Sequence, residues 1–73
     1  MDFGEAIRLM RNGEAMCRTG WNGKGMCIRM TMERDICYST KPYIYITTPD
    51  FERVPWTASQ DDMLSFDWEI REL

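Results

Sequence analysis

The stretch Met26-Cys27-Ile28-Arg29-Met30-Thr31-Met32 decides the fold. Met26, Ile28, Met30 and Met32 alternate with Cys27, Arg29 and Thr31, a period of two that predicts a strand with one apolar face. A second alternation, Tyr43 to Thr48, puts Ile44 and Ile46 on one face and Tyr43, Tyr45 and Thr47 on the other. Glu33-Arg34-Asp35 between them reads as a polar turn, Ile36 to Tyr38 as a brief strand and Ser39 to Pro42 as a loop. Upstream, Glu14 to Thr19 is a short strand, joined to Met26 by Gly20 to Gly25, whose glycines permit a tight connection.

The apolar faces of these strands need a cover, and the N-terminal segment supplies it. Phe3, Ala6, Ile7 and Met10 fall at i, i+3, i+4 and i+7, the stripe of an amphipathic helix. Asp2 and Glu5 have the spacing of a capping box. Arg8 and Arg11 suit the carbonyl end, and Asn12-Gly13 stops the helix. Downstream, Pro49-Asp50 is a turn, and Phe51 to Val54 leads into the Pro55-Trp56 corner. Thr57 or Ser59 caps a short helix running to Ser65, with Gln60 and Asp62 at the respective third positions. Trp68 and Ile70 alternate with Asp67, Glu69 and Arg71 in a last strand. The expectation is one α+β domain over residues 1–73: a small, mostly antiparallel sheet with an N-terminal helix and a short late helix.

Seventy-three residues bury little. A domain of this size hides only about 60% of its unfolded surface, and its core supplies roughly 3–5 kcal/mol. Yet 44% of the chain is hydrophobic, with seven Met and three each of Trp, Tyr and Phe. Part of that surface is expected to meet another copy of the chain. The net charge of −3 argues against binding to nucleic acid polymers. No run of 18 apolar residues suggests a membrane span, and Met1 to Glu5 lacks the pattern of a secretory leader, so a cytoplasmic location is expected. Cys17, Cys27 and Cys37 read as reduced thiols in strands. Without His, a zinc site would need all three thiols and a carboxylate, and neither metal nor cofactor is expected.

Two tryptophan-centred clusters point to function: Gly20-Trp21-Asn22-Gly23-Lys24-Gly25-Met26 and Val54-Pro55-Trp56-Thr57-Ala58-Ser59-Gln60-Asp61. Each sets an aromatic plane beside hydrogen-bonding groups and a turn, which suits a flat, polar small molecule. Trp56 is expected at a helix start, where backbone N–H groups favour an anion. Packing over the core is the competing role of either ring, and core is the expected place of Trp68. Asp61, Asp62 and Asp67 do not converge by spacing. No activated Ser or Cys signature and no phosphate-binding glycine loop is present, so no catalytic residue is assigned and a non-enzyme is expected.

The opening Met1-Asp2-Phe3-Gly4-Glu5-Ala6, the two tryptophan motifs, Ala58-Ser59-Gln60-Asp61-Asp62-Met63-Leu64, Asp67-Trp68-Glu69 and Lys41-Pro42-Tyr43-Ile44 together resemble the second type of phage Thoeris anti-defence protein. That resemblance implies a sponge that sequesters a cyclic nucleotide immune signal, a cyclic ADP-ribose isomer or a cyclic dinucleotide, without degrading it. It implies a homo-oligomer, typically a tetramer, acting in the infected host's cytoplasm with ligand held between protomers. Trp21, Asn22, Gly23, Trp56, Thr57, Ser59 and Gln60 become the candidates for ligand contact, with the two tryptophan motifs meeting across subunits. Arg18, Lys24 or Arg53 would supply positive charge. The bridge Glu33 to Thr40 is shorter than the family's usual segment there, which bears on ligand and assembly. An interaction module that inhibits a host factor is the alternative.

Overall fold

A computed structural model describes residues 1–21, 25–31 and 41–71. The brief strand expected at Ile36 to Tyr38, along with Asn22, Gly23, Lys24 and Cys37, lies outside the described residues. The elements run α1 (Phe3–Arg11), β1 (Met16–Arg18), a 3₁₀ turn (Thr19–Trp21), β2 (Cys27–Met30), β3 (Ile44–Thr47), β4 (Arg53–Pro55), α2 (Gln60–Leu64) and β5 (Trp68–Ile70). This is the expected α+β fold, with a five-stranded antiparallel sheet in the order β4-β3-β2-β1-β5.

Local chemistry sets the ends of α1. The Asp2 carboxylate accepts from the Glu5 backbone N–H at 2.8 Å, while the Glu5 side chain lies 4.0 Å from Arg8. At the other end Gly13 donates to Met10 O and Glu14 donates to Leu9 O. Gly13 has φ 96°, the left-handed geometry that closes a Schellman motif and releases the chain towards β1. Between these caps the apolar stripe brings Ala6 and Met10 into one buried cluster with Met16, Ile28 and Trp68.

The register explains which residues share that cluster. Met16 pairs with Ile28 and Ile70, and Ile28 with Ile46, which in turn pairs with Val54. All stand on the face covered by α1. The second face carries the intervening positions: Cys27 beside Thr47 and Arg53, and Arg29 beside Tyr45. No helix among the described residues covers it. Because β4 and β5 are opposite edges, the segment from Trp56 to Asp67 must cross the covered face, and α2 within it packs on α1. The sheet edge at β5 is extended by Met1, whose O accepts from Trp68 N–H and whose N donates to Phe66 O and Trp68 O.

Candidate ligand-binding site

The 3₁₀ turn after β1 presents Trp21, and Asp67 fixes that turn. One Asp67 oxygen accepts from the Thr19 hydroxyl at 3.1 Å and the Gly20 N–H at 3.3 Å, while Thr19 N–H donates to Asp67 O. The other carboxylate oxygen accepts from Arg18 Nε at 2.9 Å. Arg18 Nη1 reaches Asp62 at 2.8 Å and Asp61 at 3.5 Å. One guanidinium therefore ties the end of β1 to α2 and to the entry of β5. Charge-assisted, forked hydrogen bonds of this kind are the strong ones.

These contacts set the protonation states. Hydrogen bonding from Arg18 holds the Asp67 carboxyl below the usual carboxylate value, with help from Gly20 and Thr19 against partial burial. Burial pushes Asp62 up, but hydrogen bonds from the Ser59 backbone, Arg18 and the Ser59 hydroxyl together bring it below the usual value. Hydrogen bonds to Asp67 and Asp62 raise Arg18 above its already high value. Burial, followed by the nearby Glu69 carboxylate, pushes the Cys17 thiol up, which keeps it protonated.

Trp21 joins a ring cluster. It meets Trp68 edge-on at 5.4 Å between centroids and 81°, and Trp56 at 6.3 Å and 73°. Trp56 and Trp68 stand 6.1 Å apart at 83°, and Phe3 of α1 lies 5.1 Å from Trp68 and 6.1 Å from Trp56. Edge-to-face pairs at these separations are favourable beyond the area they bury. Trp68 is the buried anchor, 2% exposed, with its Nε1–H donating to Asp62 O at 2.9 Å. The two tryptophan motifs thus touch within one chain. The crossing segment carries Trp56 under the sheet to the turn that holds Trp21.

Beside Trp21 lies an open cleft of about 570 Å³, at the end of the sheet where β1 meets β5. Trp21, Met26 and Ile70 supply apolar surface, and Cys17, Glu69 and Arg71 supply polar groups. Its size falls within the range of small-molecule sites. Trp56 does not line it. Its N–H donates to Ile44 O at 3.0 Å, so its backbone extends the sheet instead of opening the helix as expected. The cap of α2 is Ser59, three residues later. Ser59 Oγ accepts from Asp62 N–H and donates to the Asp62 carboxylate, which also accepts from Ser59 N–H. This capping box fills the anion cradle expected near Trp56 with the chain's own carboxylate. Thr57 and Gln60 are exposed beside it. Of the candidates within the described residues, the structure brings Trp21 to a cleft and Trp56 behind it, and uses Ser59 as a cap. Of the expected cations, Arg18 is held by three carboxylates, and Arg53 lies on the open sheet face.

Arg71 was missed as a site residue. The alternation of Trp68 and Ile70 with Glu69 and Arg71 carried the signal, because it sets Glu69 and Arg71 on the face opposite the core. Among the described residues, no group of three or more His, Cys, Asp or Glu side chains is arranged to hold a metal ion. No helix among them is long and apolar enough to cross a membrane.

Comparison with known proteins agrees with the motifs. A family model described as the Tad2-like, Thoeris anti-defense 2-like domain matches residues 1–71. Thoeris anti-defense 2 of Bacillus phage SP01 is 32% identical over 83 aligned positions, which cover 96% of this chain and 93% of that protein. The alignment is longer than this chain, so the relative carries inserted residues. By the match along nearly all of its length, the chain belongs to the Thoeris anti-defense 2-like family.

Proposed function

We propose that this protein serves phage anti-defence by capturing a cyclic nucleotide immune signal, a cyclic ADP-ribose isomer or a cyclic dinucleotide, and holding it uncleaved. Membership of the family supports the anti-defence role. The observation that carries capture is the placement of Trp21: a half-buried ring, braced by two other indoles, on the wall of a nucleotide-sized cleft that also holds Arg71. The indole offers a stacking plane for a base, Arg71 a cation for phosphate, and Glu69 an acceptor for ribose hydroxyls or an exocyclic amine. Holding in place of cleavage is supported by the titration of the neighbouring groups. Asp62 and Asp67 stay ionised beside Arg18 and the Cys17 thiol stays protonated, so none of them is tuned as an acid or a nucleophile near neutral pH.

The active form in this reading is a homo-oligomer in the host cytoplasm, a tetramer by family resemblance. Leu64 and Phe66, 71% and 78% exposed next to α2, are apolar surface that a second copy would cover. The light-scattering mass should therefore be a multiple of the chain mass. An interaction module would use the same surface, and a protein that captures a host factor but retains no nucleotide would establish that alternative.

The test is to load the purified protein with cyclic ADP-ribose isomers and cyclic dinucleotides, denature it by heat and identify the released ligand by mass spectrometry. Intact ligand is expected. Altered ligand would make the protein an enzyme. Trp21→Ala should weaken retention by the roughly 1–3 kcal/mol of one stacked base. Trp56→Ala should act less directly, by removing the ring that braces Trp21. A folded Trp21→Ala protein that binds like the parent would place the ligand elsewhere.

A further inference from the structure

We propose that Cys17 and Cys27 are a redox-active dithiol, the site at which a peroxide joins β1 to β2 by a cross-strand disulfide around the Trp21 turn. The inference goes beyond the proposed function, in which neither sulfur reacts, and it stands whatever the Trp21 cleft binds.

The sheet register sets the two residues opposite each other. Thr19 N–H donates to Asp67 O and Arg71 N–H to Ala15 O, so Ala15, Cys17 and Thr19 turn their backbone groups to β5. Met16 and Arg18 turn theirs to β2, where Met16 pairs with Ile28. One step along, Cys17 faces Cys27 as a pair of the kind that exchanges no backbone hydrogen bonds. In such pairs the Cα atoms stand about 4.5 Å apart and the side chains are at their closest. A disulfide accepts Cα separations of about 4.4–6.8 Å. Both thiols stand on the face without a helix, yet their residues are only 7% and 6% exposed.

Each sulfur has its own approach. Cys17 lines the Trp21 cleft, and Cys27 lines the adjoining cleft of about 510 Å³ with Arg29, Arg53 and Arg71. A peroxide is small enough to enter either. Burial and the Glu69 carboxylate, to which Cys17 Sγ donates at 3.8 Å, keep Cys17 protonated, so Cys27 opens the reaction. The Cys27 thiolate attacks one oxygen of hydrogen peroxide. The S–O bond forms, the O–O bond breaks, and the departing hydroxide takes up the proton that Cys27 gave up, leaving a sulfenic acid and water. The Cys17 sulfur then attacks that of Cys27. The S–S bond forms, the S–O bond breaks, and the Cys17 proton leaves with the hydroxide as a second water. Two thiols are oxidised to one disulfide, and the peroxide is reduced to two waters.

The bond closes a ring over residues 17–27, which hold the 3₁₀ turn, Trp21 and three of the chain's five glycines. Glycines make that segment costly to order, so a staple across it acts chiefly on the unfolded chain.

The test is to oxidise the folded, reduced full chain with hydrogen peroxide and digest it with trypsin in the absence of reductant. Residues 12–18 and 25–29 should appear as one linked species, two hydrogens lighter than the separate peptides, and part on addition of dithiothreitol. Methionine oxidation adds oxygen and survives that reductant, so it does not imitate the bond. The linked protein should unfold at a higher urea concentration than the reduced one. Cys17→Ala, treated alike, should show no rise, and Cys27→Ala serves in its place if that variant misfolds. Cys37→Ser should link as the parent does. Linkage to Cys37 or to another chain, thiols left free or carried on to sulfinic acid in the folded protein, or a linked form that unfolds at lower urea would overturn the proposal.

Discussion

The two faces of the sheet are made by the same strands and do opposite work. On the covered face Met16, Ile28 and Trp68 close on Ala6 and Met10 of α1, and Arg18 at the margin meets three carboxylates. On the open face, one residue along each strand, the half-buried Arg29 and the exposed Arg53 have no helix over them and no ion pair among the described residues. A small domain has one face's worth of core, so its stability is concentrated on one side. The alternation of the strands leaves the other side free to carry charge that no folding requirement would retain.

Four measurements would break or sharpen that contrast. Trp68→Ala should have the largest effect. It removes a fully buried ring, costing about 3–5 kcal/mol, which in a domain this small is most of the folding free energy. Urea unfolding should find the variant largely unfolded without denaturant. A mild loss would mean that the covered face is not the core.

Arg18→Gln should follow. Asp62 and Asp67 titrate below the usual carboxylate value in the folded protein, chiefly through hydrogen bonds from Arg18 and the cap of α2. A carboxylate whose folded-state value is depressed contributes stability that is complete above its unfolded value of about 3.9 and is lost as pH falls through the folded value. The parent should therefore lose stability on acidification below about pH 4, and the variant more shallowly, having already lost the part due to Arg18. Parallel curves would mean that the carboxylates do not depend on Arg18.

Ser59→Ala removes the cap of α2 and should cost about 1 kcal/mol, read as a shift of the urea midpoint. Arg29→Gln on the open face should be the smallest change, within about 0.5 kcal/mol of the parent. A loss as large as that of the cap would show that the open face is holding the fold together.

The sequence made one half of this contrast readable. The stripe from Phe3 to Met10 with Asp2 before it and Asn12-Gly13 after it fixes α1 by local chemistry alone, and the alternations at Ile28 and at Ile44 and Ile46 fix the two central strands. The start of α2 was ambiguous because Thr57 and Ser59 both have a partner three residues on. Ser59 prevails because Asp62 is ionised and accepts from the cap backbone, the cap hydroxyl and Arg18 together, which Gln60 as an amide does not match. Residue spacing puts Trp21 in a glycine-rich loop and Trp56 at the corner before a helix, with nothing to join the two rings within one chain. Their meeting depends on the path of the crossing segment, and a path between opposite sheet edges leaves no trace in residue spacing. Arg18 was equally opaque, since its acidic partners lie 43 to 49 residues away. On the open face the alternation was visible, but periodicity alone does not separate a solvated arginine from one gathered with others.

The return of β5 to β1 also determines when the ring cluster comes into being. The pairing of Cys17 with Glu69 closes a loop of about fifty residues, a non-local event that sets folding speed more than final stability. Trp68 meets Trp21 and Trp56 only once that loop has closed. The intrinsic fluorescence of the chain is therefore a clock for that long-range step of folding, and the cleft beside Trp21, which Glu69, Ile70 and Arg71 help to line, is complete only when that clock has run.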